Sequence, residues 1–350
     1  MSRCNSYSDR TVGRKEGKDK GFFIKPVLLY SFSFFFTPNI INFFISMRKF
    51  LSYGPLLIII AASLWALDGI IRRSLYSLPS ITIVFYEHLF GAVILLPYLI
   101  KTFSKEGLTR KEFFLLLFIS MFSGVLGTLW FTTALLKTSF ISFSVVYLIQ
   151  KLQPIFAISA AAIVLKEKIT KSYIKWAVLA LVAAYFVTFK NGYVNLATGT
   201  GTVIAALYAL GAAFAWGSST AFSKLALVKR PSIYVTSLRF VLTSILALGM
   251  VFLLGQSKSL ASPTFSQLSR FLLIAVSTGM VSVAIYYRGL KKVQANVSTI
   301  LELVYPLLAV FIDATLYKSF LAPTQYLAGA ILLFGIYKIS QIQQKELKNN

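Results

Sequence analysis

The sequence predicts an all-α polytopic membrane protein, with ten transmembrane helices built as two inverted five-helix repeats. Three observations carry that expectation. The first is composition: 57% of the 350 residues are hydrophobic, 13% are charged, and the mean hydropathy is +0.74. A soluble chain of this length could not hide so much apolar surface, so lipid must be its solvent. The second is a succession of helix-length apolar runs joined by short connections. The third is a design that occurs twice, an apolar run with a proline in its first half and polar groups just before it. It reads YLIQKLQPIFAISAAAIVLKEKIT over 147–170 and TILELVYPLLAVFIDATLYKSFLA over 299–322.

In chain order, residues 1–20 are polar and basic, and 22–46 are Phe-rich but broken by Lys25, Pro26, Pro38, Asn39 and Asn42. Three readings compete for this stretch: a signal peptide, an extra transmembrane helix, or a segment outside the working protein. The signal-peptide reading has a basic flank and an apolar core but no small-residue cleavage site. The third reading is preferred, because Met47-Arg48-Lys49 forms a short basic lead before the first clean helix. Residues 1–46 are then an N-terminal extension, and the mature chain is expected to start at Met47. From there apolar runs fall at 55–75, 81–100, 113–136, 141–165 and 173–189. After the Gly/Thr-rich stretch 191–201 they resume at 202–227, 233–254, 268–290, 295–316 and 326–339. Crossing a bilayer takes roughly 20 apolar residues. The runs divide into a first repeat over 52–190, a second over 200–341 and a cytoplasmic tail over 342–350. No connection has room for a soluble domain.

The net charge of +24 would suggest nucleic acid if it were gathered on one face. Instead Lys and Arg stand in short groups between apolar runs, as in loops held on the cytoplasmic side, so no nucleic-acid partner is expected. From Arg48 onward, 19 basic residues fall on that side, among them Lys101, Lys111, Lys168, Arg230 and Lys292; seven, among them Arg73, Lys137 and Lys258, fall on the other. Both ends are therefore expected in the cytoplasm of a multi-pass protein in a bacterial cytoplasmic (inner) membrane. An odd number of spans per half turns the second half over, as in many alternating-access carriers. The lone cysteine, Cys4, and the lone histidine, His88, rule out an internal disulfide, a Cys-based metal cluster and every two-His zinc motif. Nothing resembles a phosphate loop or a nucleophile elbow, so no enzyme activity, metal, cofactor or ATP drive is expected.

A shift of 152 residues places Pro154 on Pro306, Gln150 on Glu302, Pro79 on Pro231 and Glu87 on Arg239, and Trp65 meets Trp216 at 151. Pro154 and Pro306 are helix-break positions. A proline inside a spanning helix frees a carbonyl, which needs a partner in a protein interior or a wet cavity. Two interrupted helices at matching places point to a substrate site. SLWALDGI in the first helix, GVLGTLWFTTALLKTS running towards the fourth, the proline helix closing in LKEKIT and its echo ELVYPLLAVF together resemble the EamA family of the drug/metabolite transporter superfamily. The resemblance covers about residues 52–341. It implies a ten-helix carrier with a central cavity lined by helices one to four and six to nine, with five and ten peripheral. Members move small metabolites, amino acids or drugs, often outward. Two departures stand out. Ser319 follows the second proline helix where Glu167 follows the first, and Glu87-His88 replace the frequent arginine that Arg239 keeps in the seventh helix.

The expected function is that of a secondary transporter (permease), exporting or exchanging a small metabolite, amino acid or drug-like compound by alternating access. Its expected partners are that small-molecule substrate, the lipid bilayer and coupling protons; the sequence is silent on a homo-oligomer. A non-transporting scaffold or channel, and a membrane enzyme acting on lipid-linked substrates, are the alternatives.

Ionisable groups in lipid-spanning helices are costly and usually face a partner or a watery path. Asp68 and Arg72, four apart, share a face and can pair. Glu87, read as a buried carboxylate away from cations, could take and release a proton, as could His88; the alternative for both is an interhelical hydrogen bond that only fixes packing. Lys151 lies roughly 15 Å along the fourth helix, near mid-membrane, where it would pair with Glu87 or Asp68 or meet an anionic substrate group. Gln150 shares a face with Pro154. Glu302, Pro306, Ala309 and Asp313 follow steps of four, three and four and so line one stripe. That makes Glu302 the leading coupling or binding carboxylate, with Arg239 as its counter-ion or an inner-gate residue. Trp65, Trp216 and Tyr305 are candidates to line the cavity, although aromatics in such helices also serve as packing or interface anchors. Gly124 with Gly127 and Gly211 with Ala215 read as sites of close helix packing.

Overall fold

The computed structural model describes residues 53–137, 149–150, 152–193, 201–316 and 321–349. The expected start at Met47, the 1–46 extension and Lys151 lie outside them. Among the described residues the regular structure is helical throughout. The first repeat comprises α1 (Gly54–Arg73), α2 (Ser80–Glu106), α3 (Arg110–Ile119) and α4 (Thr128–Lys137), with a π-helical segment, Ser120–Gly127, joining α3 to α4, then α5 (Gln153–Val164) and α6 (Lys171–Thr188). The second comprises α7 (Gly201–Leu227), α8 (Ser232–Leu253), α9 (Phe265–Val276), α10 (Met280–Leu290), α11 (Ala295–Leu301), α12 (Val304–Leu316) and α13 (Pro323–Asn349). Eight of the resulting spans are long and apolar enough to cross a membrane, and α5 supplies a shorter apolar helix. Ile163, Leu207, Leu253 and Leu327 are more than 60% exposed. An outer surface this apolar suits a chain solvated by lipid.

The two halves begin corresponding helices with the same devices. Pro79 and Pro231, 152 residues apart, are the N-caps of α2 and α8. Thr109 with Glu112 and Thr264 with Gln267 form capping boxes at the starts of α3 and α9, where side chains take up backbone donors that a helix start leaves unpaired. Packing follows the duplication. The chief interfaces are α2 with α8, α6 with α13, α1 with α10 and α12, and α7 with α5 and the α3–α4 span. Exchanging each helix for its counterpart in the other repeat maps this set onto itself.

The direction of each repeat is fixed by contacts at the two ends. On the face rich in Lys and Arg, Arg230 after α7 grips Glu112 at the start of α3 at 2.8 Å, and Lys224 near the end of α7 donates to the Leu290 carbonyl at 2.8 Å. On the opposite face Arg270 donates to the Ser74 carbonyl after α1 at 3.0 Å, and Thr82 bonds Ser259 at 2.5 Å. So α1 starts at the basic face and α7 ends there. The repeats are inverted.

Two runs expected as single helices are interrupted. The eighth, 268–290, divides between Val276 and Met280, where the Gly279 N–H turns back onto the Ile274 carbonyl at 2.6 Å. The ninth, 295–316, divides at Glu302–Leu303 because Pro306 cannot donate to the carbonyl of Glu302 four residues earlier. Tyr305 N–H takes that carbonyl at 2.9 Å instead. The stripe expected from Glu302 through Pro306 is therefore bent at its first member, and the Asp313 side chain lies outside the described ones.

Candidate functional site

Between the repeats lies a cavity of about 240 Å³. Its lining draws on α1, α2, the α3–α4 span and the start of α5 from one half, and on α7, α8, α10, α11 and α12 from the other. Asp68, Glu87, His88, Gln150, Arg239, Glu302, Trp65, Trp216, Tyr305, Pro154 and Pro306 all contribute to it. Of the sequence candidates, only Lys151 falls outside the described residues. Towards the opposite face the lining reaches Leu135; towards the basic face it stops at Ser223 and Tyr287, whose hydroxyls lie 3.0 Å apart and tie α7 to α10.

Glycine lets the walls close in two places. A Cβ on Gly127 would sit 2.5 Å from the Trp216 ring nitrogen, and one on Gly217 would sit 2.5 Å from the Gln153 carbonyl. The wide π-helical turn that precedes Gly127 leaves the Ser123 carbonyl to accept from Trp216 Nε1 at 3.0 Å. Such turns are frequent at functional sites.

The first wall holds an ionic group of three side chains, in which Arg72 Nη1 keeps no hydrogen-bond partner. Arg72, 4% exposed, donates to Asp68 at 2.6 Å on its own helix and to Glu87 at 2.9 Å on α2. Asp68 also accepts from Thr278 in the break between α9 and α10, at 2.7 Å. Glu87 is thus not a carboxylate away from cations. Arg72 lies 15 residues back in the last turn of α1, and its side chain reaches across to Glu87 on α2. His88 packs its ring on Phe240 at 5.1 Å and bonds the Val84 carbonyl of its own helix at 2.8 Å.

The second wall is arranged differently. Glu302 accepts from Tyr286 Oη at 2.7 Å and from Gln153 Nε2 at 3.3 Å. Arg239 donates to Tyr287 Oη at 2.8 Å and to Ser123 Oγ at 2.9 Å, with its guanidinium 5.4 Å from the Tyr287 ring centre. Arg239 is therefore not the counter-ion of Glu302. Consecutive tyrosines of α10, pointing about 100° apart around the helix, hold the two charges separately. Tyr286 also meets Trp65 at 5.2 Å between ring centres, and Phe131 meets Trp216 at 5.2 Å. Sequence reasoning missed Tyr286, Tyr287, Ser123 and Thr278, and read Gln153 only as one of the polar groups before Pro154. A Tyr-Tyr pair inside a spanning run was the available signal. Among the described residues no group of three His, Cys, Asp or Glu side chains could hold a metal.

The EamA-like transporter family model matches this chain twice, over residues 52–189 and 203–341. The chain belongs to that family. It is a membrane transporter of small metabolites. A curated relative, the riboflavin transporter ImpX of Fusobacterium nucleatum subsp. nucleatum, is 34% identical over 292 residues, covering 83% of this chain and 98% of that protein. A solved crystal structure superposes with a TM-score of 0.66 at 13% identity, covering 83% of this chain and 98% of its own. That likeness speaks to the fold alone.

Proposed function

We propose that this EamA-family protein carries a flat, hydrogen-bonding heterocycle of the riboflavin type across a bacterial cytoplasmic membrane by alternating access. The observation that carries the reading is the cavity between inverted repeats, lined by two aromatic pairs and by charged and amide side chains set at the proline breaks. Aromatic faces suit a fused ring, and a few convergent polar groups suit its heteroatoms. The identity with a riboflavin transporter supports the same choice. In this reading the two repeats rock about a mid-membrane site near Pro154 and Pro306, and Glu302 is the group that takes and releases a coupling proton. The basic face, with both chain ends, is cytoplasmic in this reading, and the excess of Lys and Arg there supports it. Net export, uptake or exchange then follows the gradients of substrate and proton.

The test is flux of radiolabelled riboflavin into proteoliposomes holding the purified protein. Saturable flux that responds to an imposed pH gradient is expected. Absence of riboflavin flux from folded protein would overturn the substrate, and flux that never saturates would favour a channel.

A further inference from the structure

The charges that face the cavity are not all satisfied in the same way, and the difference defines what a ligand must bring. Among the described lining residues Arg72 is already matched by Asp68 and Glu87. Glu302 and Arg239 are bonded there only to uncharged groups: Glu302 to Tyr286 and Gln153, Arg239 to Tyr287 and Ser123. Arg72 Nη1 and Arg239 Nε both lack a hydrogen-bond partner, so what separates the two arginines is the opposite charge beside Arg72. Each carboxylate oxygen has two lone pairs, so Glu302 retains acceptor capacity after both of its bonds are made. An ion held inside a lipid-spanning bundle without an opposite charge is unfavourable, so whatever enters gains by completing it. A simple anion would complete Arg239 and oppose Glu302; a simple cation would do the reverse. A neutral group carrying an N–H beside a carbonyl serves both at once.

We infer that Glu302 and Arg239 read the imide edge of a flat heterocycle, its N–H donated to the Glu302 carboxylate and a flanking carbonyl accepting from Arg239. This rests on the flavin reading above, since the pyrimidinedione end of riboflavin has that donor between two acceptors. Tyr286 and Tyr287 act as positioning residues that keep the two charges from joining each other. Glu302 is then a specificity contact as well as a titrating one.

The experiment measures binding of riboflavin and of its N3-methyl derivative, which lacks that N–H, by quenching of tryptophan fluorescence in detergent. A hydrogen bond to an ionised group contributes about 1.5–3 kcal/mol, and every 1.4 kcal/mol is tenfold in affinity. Methylation is therefore expected to weaken binding to the parent protein about tenfold or more. The isosteric Glu302→Gln variant keeps the space but replaces a charged acceptor by a weaker neutral one, so the methylation penalty should shrink several-fold there. Gly249→Ala, away from the cavity and with open space around its Cβ position, should keep the parental penalty. Equal binding of the two ligands by the parent, or an unchanged penalty in Glu302→Gln, would overturn the inference while leaving riboflavin as the substrate. Folded parent protein that binds neither flavin would overturn the substrate reading and this inference with it.

Discussion

The two walls of the cavity descend from one five-helix unit and have come to handle charge in opposite ways. In the first wall Arg72 bridges two carboxylates, and Gln150, uncharged, stands four residues before Pro154. In the second, Glu302 stands four residues before Pro306, and Arg239 occupies the register of Glu87; neither has an ionic partner among the described residues. The helix-start caps and the proline register were kept in both copies and side-chain charge was not. One wall became a brace, and the other was left open to a ligand.

The sharpest way to break this contrast is to neutralise each wall in turn. Arg72→Gln leaves Asp68 and Glu87 buried against each other, and removing one member of a buried pair costs about 3–5 kcal/mol. A large fall in the thermal unfolding temperature in detergent is expected, partly recovered by adding Glu87→Gln because Asp68 still keeps its charge. Stability equal to the parent's would mean that the first wall is no brace. Glu302→Gln should act in the reverse sense. It removes an unmatched charge from the cavity wall, so the unfolding temperature holds or rises while riboflavin flux falls about tenfold or more. Loss of fold with flux per folded molecule intact would erase the distinction. A smaller effect tests how closely the walls approach. Gly127→Ala drives a methyl group into the Trp216 ring and should cost about 1–3 kcal/mol. Gly249→Ala, with open space around its Cβ position, should cost less.

Much of the architecture was legible because it depends on short-range pattern. Apolar run lengths define the spans, and the 152-residue register of Pro79 with Pro231 and Pro154 with Pro306 exposes the duplication. The break at Glu302 was legible in Pro306 for a chemical reason, since a ring nitrogen cannot donate. What stayed hidden depends on how helices are rotated about their axes. Nothing local to Glu87 says that it turns towards Arg72, and nothing local to Arg239 says that Tyr287 and Ser123 intercept it before Glu302. The interruption at Ser277–Gly279 was missed because the residues on either side continue the same apolar run. The hydrogen bond from Tyr286 to Glu302 spans a loop and a helix break, so no single helical period contains it.

The wide turn at Ser120–Gly127 has a mechanical consequence. It holds slack that a regular helix lacks, and one residue of slack corresponds to roughly 100° of rotation. Taking up that slack would swivel α4, and with it Phe131 and Leu135, relative to the anchored lower portion of the third span. The Ser123 carbonyl would then surrender the Trp216 indole, so a twist within a single rod would reshape the chamber without either bundle moving as a block.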